Sequence, residues 1–288
     1  MWRKAERKGR RPRLGLALSG GAARGLAHVG VLKVFAEEGI GVDCVAGTSA
    51  GALVGGALAS GMPVEELERI GRALRWRDFG RMTLSRLGVQ SNAFLEEYVR
   101  ARFPVTRFEE LPVPFAAVAT DLQTGARVVM RDEGDLGFAI RASCAVPGWY
   151  VPVTDPGGRQ LVDGGLVANL PVSVARALGA EVVVAVDVNS EGAKFMGPPT
   201  SIIGVLLQSM LVVQRTAVEH QRQLADVCIS PRVGHLRWDE LARSAEFIDA
   251  GVEAARAAVP AIKELLEPQA EDGPGRFGLR RERQVTKD

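Results

Sequence analysis

Three short stretches carry residue types that could do chemistry. Gly47-Thr48-Ser49-Ala50-Gly51 has the G-x-S-x-G form, which sets a serine on a sharp turn between a strand and a helix. The glycines remove side chains where the turn and a neighbouring strand must come close, and the helix N-terminus favours negative charge developing at the serine. Upstream lies Ser19-Gly20-Gly21-Ala22-Ala23-Arg24-Gly25. A Gly-Gly turn between a strand and a helix exposes backbone N–H groups, the donors that an acyl-transfer oxyanion needs. Downstream, "QLVDGG" ends a short strand on Asp163, followed by Gly164 and Gly165.

A nucleophilic serine needs a base, and the chain has three histidines, His28, His220 and His235. His28 shares a helix face with Leu32, a packing position, and His220 falls in a polar helix. His235, in a loop beyond a late strand, is the one that could complete a triad with the histidine after the acid. Asp163 is the better candidate. At a strand end it would face the same sheet edge as Ser49 if the two strands ran parallel, although an Asp-Gly pair is by default a turn. Nucleotide binding fits poorly. Leu26-Ala27 stands where a P-loop needs Lys-Ser/Thr, and Ala22 breaks a dinucleotide fingerprint.

These residues need elements to hold them. Leu14 to Ser19 is a buried-strand run that stops at Gly20, and residues 26–39 have helical spacing with Gly39 as a stop. Val42 to Ala46 predicts a second strand and Ala50 to Ser60 a small-residue helix. This βαβ rhythm predicts an α/β protein with a parallel sheet. Residues 62–76 and 91–103 predict amphipathic helices, with the arginine-rich stretch 77–90 as an exposed loop. Further strands are predicted at 115–120 and 127–130, which form a hairpin, and at 160–163, 181–186 and 227–230. Helices are predicted at 135–144, 171–178, 201–224 and 244–266.

The 288 residues, 47% apolar and 24% charged, suffice for a large core. Met1 to Arg13 carries seven basic residues against Glu6, so the net charge of +2 hides a basic arm on a mildly acidic body. Glycines and Arg24 break the apolar stretch that follows, so it reads as strand, turn and helix and not as a secretory leader. Cys44, Cys144 and Cys228 are scattered, which fits a reducing, cytoplasmic setting and excludes a cysteine zinc site. Arg24, Asp121 and Arg141 read as scaffold and Asp43 as a solvated turn.

The motifs "SGGAARG", "GTSAG" and "DGG", in this order, resemble those of patatin-like phospholipases. The stretches "LAHVGVLKVFAEEGI", "ATDLQTG", "AIRASCAVPGWYVPV" and "PVSVARALGAEVVVAVDV" also resemble bacterial members, so the resemblance spans residues 14–266. It implies a three-layer α/β/α fold with a mostly parallel central sheet. It also implies a Ser-Asp dyad without histidine or metal: Ser49 as nucleophile, Asp163 as base and the loop Gly20 to Gly25 as oxyanion hole. Ala22 departs from the family, many members of which carry a third glycine there. The expected activity is hydrolysis of fatty acyl esters, with acyl transfer or a non-catalytic regulatory role as alternatives. No cofactor and no nucleic acid is expected, and oligomeric state stays open. The expected organisation is a disordered basic arm (1–13) suited to peripheral contact with anionic membranes, a catalytic domain (14–268) and a disordered tail (269–288). Residues 149–153 and 202–213 could form an apolar rim for lipid access.

Overall fold

The computed structural model describes residues 10–190 and 198–268. The first half of the chain folds as β1 (Leu14–Leu18), α1 (Leu26–Glu37), β2 (Cys44–Thr48), α2 (Ala50–Ala59) and α3 (Val64–Ala73). Then come β3 (Arg81–Met82), β4 (Gly88–Ser91), α4 (Ala93–Arg102), β5 (Phe115–Asp121), β6 (Arg127–Arg131) and α5 (Leu136–Ser143). The second half adds β7 (Gly148–Tyr150), β8 (Val153–Thr154), β9 (Gln160–Asp163), α6 (Gly165–Ala168) and α7 (Val172–Ala177). It closes with β10 (Val182–Val186), α8 (Ile202–Gln223), β11 (Val227–Ile229) and α9 (Ser244–Leu266).

Among the described residues, eight strands form the main sheet, in the order β11-β10-β1-β2-β5-β9-β8, with β6 also on β5. The five strands from β11 to β5 run parallel. They are short runs of apolar residues buried on both faces, as parallel strands between helical layers must be. Side-chain alternation divides the core. Leu14, Leu16, Leu18, Val182, Val184 and Val186 point to the layer of α1, α2, α3 and α9. Ala17, Ala46, Val183 and Ala185 face Leu170, Val172, Val174 and Val218 from the α6, α7 and α8 side. The result is the expected three-layer α/β/α architecture.

Three expectations need correction. The strand carrying Asp163 is not parallel to that carrying Ser49: β9 runs antiparallel to β5, which is parallel to β2. The stretch 77–90 is not wholly loop, because β3 and β4 pair with each other and β4 with β7 in a small second sheet. Asp43 is no solvated turn. Its carboxylate accepts both Arg11 guanidinium nitrogens (2.7 and 3.0 Å) and the Leu14 amide (2.6 Å). Arg10 similarly meets Glu181 at 2.9 Å, so the end of the basic arm is tied to the sheet. Residues 1–9 of the arm and the tail from 269 lie outside the described residues.

Candidate active site

Ser49 directly follows β2 and precedes α2, with φ 53° and ψ −121°. A non-glycine residue at positive φ is strained by about 1–3 kcal/mol, and the surroundings hold it there. The Ser49 amide donates to Ser143 Oγ (2.8 Å), which donates in turn to the Val118 carbonyl (2.6 Å). The Ser49 carbonyl accepts from the amides of Ala52 (2.8 Å) and Leu53 (3.1 Å) at the start of α2. The turn is possible because α2 lies against β1. A Cβ on Gly51 would collide with the Leu18 carbonyl oxygen.

Asp163 reaches this turn by a route that a parallel strand would not give. β5 outruns β2: Thr48 pairs with Val118, and the strand continues to Asp121. β9 returns antiparallel along that extension, pairing Leu161 with Asp121 and ending with Asp163 opposite Ala119. The carboxylate thus arrives level with the end of β2 and next to Ser49. The Asp163 carboxylate accepts from the Gly165 amide (2.8 Å), and the Ser49 hydroxyl lies close enough to favour its ionised form. Asp163 is only 4% exposed. Burial raises its pKa from 3.8 to about 6, against the lowering effect of the nearby Ser49 hydroxyl and the Gly165 amide. Cys144 lies against the pair, and its thiol is pushed up by burial and by the Asp163 charge, which keeps it protonated.

The glycine loop lines the same cavity beside Ser49, close enough that a Cβ on Gly20 would come within 3.0 Å of the Ser49 side chain. Its amides are not equivalent. Gly20 N donates to Asn169 O (3.2 Å), Ala23 N to Trp238 O (2.9 Å) and Arg24 N to Gly21 O (3.1 Å). The amides of Gly21 and Ala22 have no hydrogen-bond acceptor among the described residues. Ala22 sits at φ 50°, a left-handed conformation that glycine adopts without the steric penalty alanine carries. Arg24 is buried, and its guanidinium donates to the Leu236 carbonyl (3.3 and 3.2 Å) and to Asn189 Oδ1 (3.4 Å), so it buttresses the loop.

The histidines stand apart from this chemistry. His28 is fully buried, donates from Nε2 to the Ser19 carbonyl (2.8 Å) and is held neutral, its pKa lowered to about 4 by burial. His220 and His235 are exposed, and neither lines the cavity. Among the described residues no group of three or more His, Cys, Asp or Glu could hold a metal ion.

The cavity has a volume of about 190 Å³ and predominantly apolar walls. Trp76, Phe79, Trp149 and Trp238 form one side, with Trp238 edge-on to both Trp76 (5.9 Å between ring centroids) and Trp149 (6.3 Å). Met210 and Leu211 of α8 form another. Trp149, Met210 and Leu211 lie in the stretches 149–153 and 202–213 expected to form an apolar rim, whereas Ser143, Trp76 and Trp238 are parts the sequence did not single out.

The patatin-like phospholipase model matches residues 16–176, more than half of the chain and all three motifs. The chain belongs to the patatin-like phospholipase family. An uncharacterized NTE family protein of Mycobacterium tuberculosis is 37% identical over 185 residues, 63% of this chain and 51% of that one. Rat patatin-like phospholipase domain-containing protein 7 is 38% identical over 186 residues, 62% of this chain and 14% of that protein. The chain therefore spans about half the length of its mycobacterial relative and a small part of the rat one. Among solved structures, VipD from Legionella pneumophila superposes with a TM-score of 0.56 at 14% identity, over 91% of this chain and 72% of VipD. That likeness shows the fold. In both relatives the matched segment is part of a longer chain.

Proposed function

We propose that this patatin-like domain is a serine hydrolase of fatty acyl esters, working through Ser49 and Asp163. The observation that carries the reading is Ser49 on a strained strand–helix turn with the buried Asp163 carboxylate beside it, both lining one apolar cavity. At neutral pH a carboxyl with a pKa of about 6 is ionised and is a far stronger base than a solvated aspartate. Asp163 takes the hydroxyl proton as Ser49 Oγ bonds to the ester carbonyl carbon. The carbonyl oxygen becomes an oxyanion, met by the Gly21 and Ala22 amides and by the N-terminal end of α2. Collapse breaks the bond to the alcohol, which leaves with the proton from Asp163. Water then attacks the acyl-enzyme by the same route, and the fatty acid departs with Ser49 regenerated.

Phospholipids, lysophospholipids and simpler acyl esters all supply the required carbonyl and apolar chain. No helix among the described residues is long and apolar enough to cross a membrane, so contact of this domain with lipid would be peripheral. The test is hydrolysis of a short-chain p-nitrophenyl ester and of phospholipid, together with labelling by a fluorophosphonate. Ser49→Ala and Asp163→Asn are expected to abolish turnover and His235→Ala to leave it intact. A folded but inactive His235→Ala protein would overturn the dyad. Wild type inert toward both the esters and the fluorophosphonate would overturn the hydrolase reading itself.

A further inference from the structure

The first half of α8 is apolar on both sides. Towards the protein the helix buries Gln214 and Val218 and sends Met210 and Leu211 into the cavity wall. Towards solvent it presents Ile202 (82% exposed), Leu206 (62%) and Val213 (68%), flanked by Val205 and Val212. The spacing of these five residues puts them on one face over the first three turns. No charged residue occurs between Ser201 and Gln214. A contiguous apolar face of this kind on a water-facing helix marks a surface that meets something else.

A second projection adjoins the cavity lining. Trp76 and Phe79 line the cavity, and the chain then runs directly into the β3–β4 hairpin, whose β4 pairs with the Trp149-bearing β7. Met82, Leu84 and Leu87 are among the most exposed large apolar side chains of the hairpin. Around them Arg75, Arg77, Arg81 and Arg86 are exposed, and none makes an ion pair with a described residue. The acids nearby are engaged: Asp78, half-buried, accepts from the Arg75 amide at 2.9 Å, and Asp239, whose carbonyl accepts from Trp76, pairs with Arg237. Arg81 lies over the Phe94 ring at 4.2 Å, an apolar body beneath a cationic head. Apolar tips beside unpaired arginines are the composition of a segment that sits at a lipid–water interface, side chains in the acyl region and guanidinium groups at the phosphates.

We infer that the solvent face of α8 and the β3–β4 hairpin form a docking surface for an anionic lipid bilayer beside the Ser49 cavity. The arginines decide the occupant. A second copy would bring its own four arginines to the same face in a symmetric pair, whereas an anionic bilayer complements them. Arg10 and Arg11, engaged with Glu181 and Asp43, are not part of this surface, and the inference rests on the lipid-ester reading for its purpose. Docking here would let a lipid pass from the bilayer into the cavity without crossing water.

The test uses the full chain and unilamellar phosphatidylcholine vesicles with and without phosphatidylglycerol. Co-sedimentation is measured for wild type and for three double variants: Leu84→Glu with Leu87→Glu, Arg81→Glu with Arg86→Glu, and Ile202→Glu with Val213→Glu. Wild type should prefer the phosphatidylglycerol vesicles. Each double variant should bind them at least about tenfold more weakly, while hydrolysis of the monomeric p-nitrophenyl ester and fluorophosphonate labelling stay within about twofold of wild type. Three outcomes overturn the proposal: unchanged vesicle binding by all three variants, equal binding of wild type to both vesicle types, or a concentration-dependent dimer abolished by the α8 pair with vesicle binding intact. An enzyme inert toward the monomeric ester would instead remove the hydrolase reading and leave the vesicle measurement interpretable.

Discussion

Replacing Asp163 by asparagine separates the energetic burden of the carboxylate from its chemical use. Burial moves its pKa from 3.8 to about 6. An acid whose pKa is higher in the folded state binds its proton more tightly there, so ionisation opposes folding. The burden is absent below the unfolded value near pH 4, grows between the two values, and is complete above about pH 6. Its full size is about 3 kcal/mol. Asparagine has nearly the same shape, keeps an oxygen to accept from the Gly165 amide, carries no charge at any of these pH values and cannot take the Ser49 proton. The stability difference, variant minus wild type, should therefore rise by about 3 kcal/mol between about pH 4 and pH 8. For a domain of this size that is a relative gain of about 6–12 °C in Tm. Effects of packing and amide geometry do not change with pH and cancel in this comparison. Thermal or urea unfolding of both proteins across the range gives the measurement, with ester hydrolysis followed in parallel and expected to fall by about a thousandfold or more. A difference that is flat with pH would show that the carboxyl is not desolvated. Retained turnover would show that it is not the base.

The same pKa predicts that kcat/KM of wild type for an uncharged ester falls as pH drops through about 6, because the protonated carboxyl cannot accept the Ser49 proton; a profile flat to pH 5 would contradict it. Ser143→Ala removes the acceptor of the Ser49 amide and leaves that N–H buried and unpaired, so stability should drop by about 1–3 kcal/mol and turnover by more than the loss of folded protein accounts for, as active-site titration with a fluorophosphonate would show. Ala22→Gly relieves a left-handed alanine and should raise stability by about 1 kcal/mol in urea unfolding.

The parallel centre of the fold was legible because it is written locally. Val182 to Val186 and Leu14 to Leu18 are apolar runs that end in turns or glycines, and each strand's character survives without knowledge of its neighbours. Ser49 was legible for the same reason: the turn, both glycines and the helix lie within ten residues of it. Asp163 was legible only as a carboxylate before two glycines. The direction of β9, which carries it to Ser49, depends on β5 extending past β2, and no local pattern records that. Ser143 was hidden completely. It stands on α5 next to Cys144, and its two partners are 94 and 25 residues away. The β3–β4 hairpin was missed because β3 has two residues and both are exposed, too short a strand for alternation to register. Asp43 was misread because Arg11, its partner, lies 32 residues away in an arm that composition marks as solvated.

The scarcity of histidine also takes on a physical meaning. Imidazole serves as a base because its ordinary pKa of about 6.5 lies close to working pH. Here desolvation brings an aspartate to about 6, so the environment supplies what the choice of residue supplies in a triad. The buried histidine has moved the opposite way, to about 4, and is committed to the Ser19 carbonyl at the base of the glycine loop. One low-dielectric interior thus strengthens Asp163 as a base and silences His28 as one, since burial disfavours the charged form of each. On the proposed mechanism that same interior should discriminate among substrates. A polar, well-hydrated acyl group would draw water around Asp163 and return its pKa toward 3.8, whereas an apolar chain against Trp76, Trp149 and Trp238 keeps water out. Base strength should therefore depend on the substrate: at pH 6, where ionisation is incomplete, the rate advantage of a long acyl chain over a short one should be smaller than at pH 8. A chain-length preference that does not change between these pH values would separate the tryptophan wall from the tuning of Asp163.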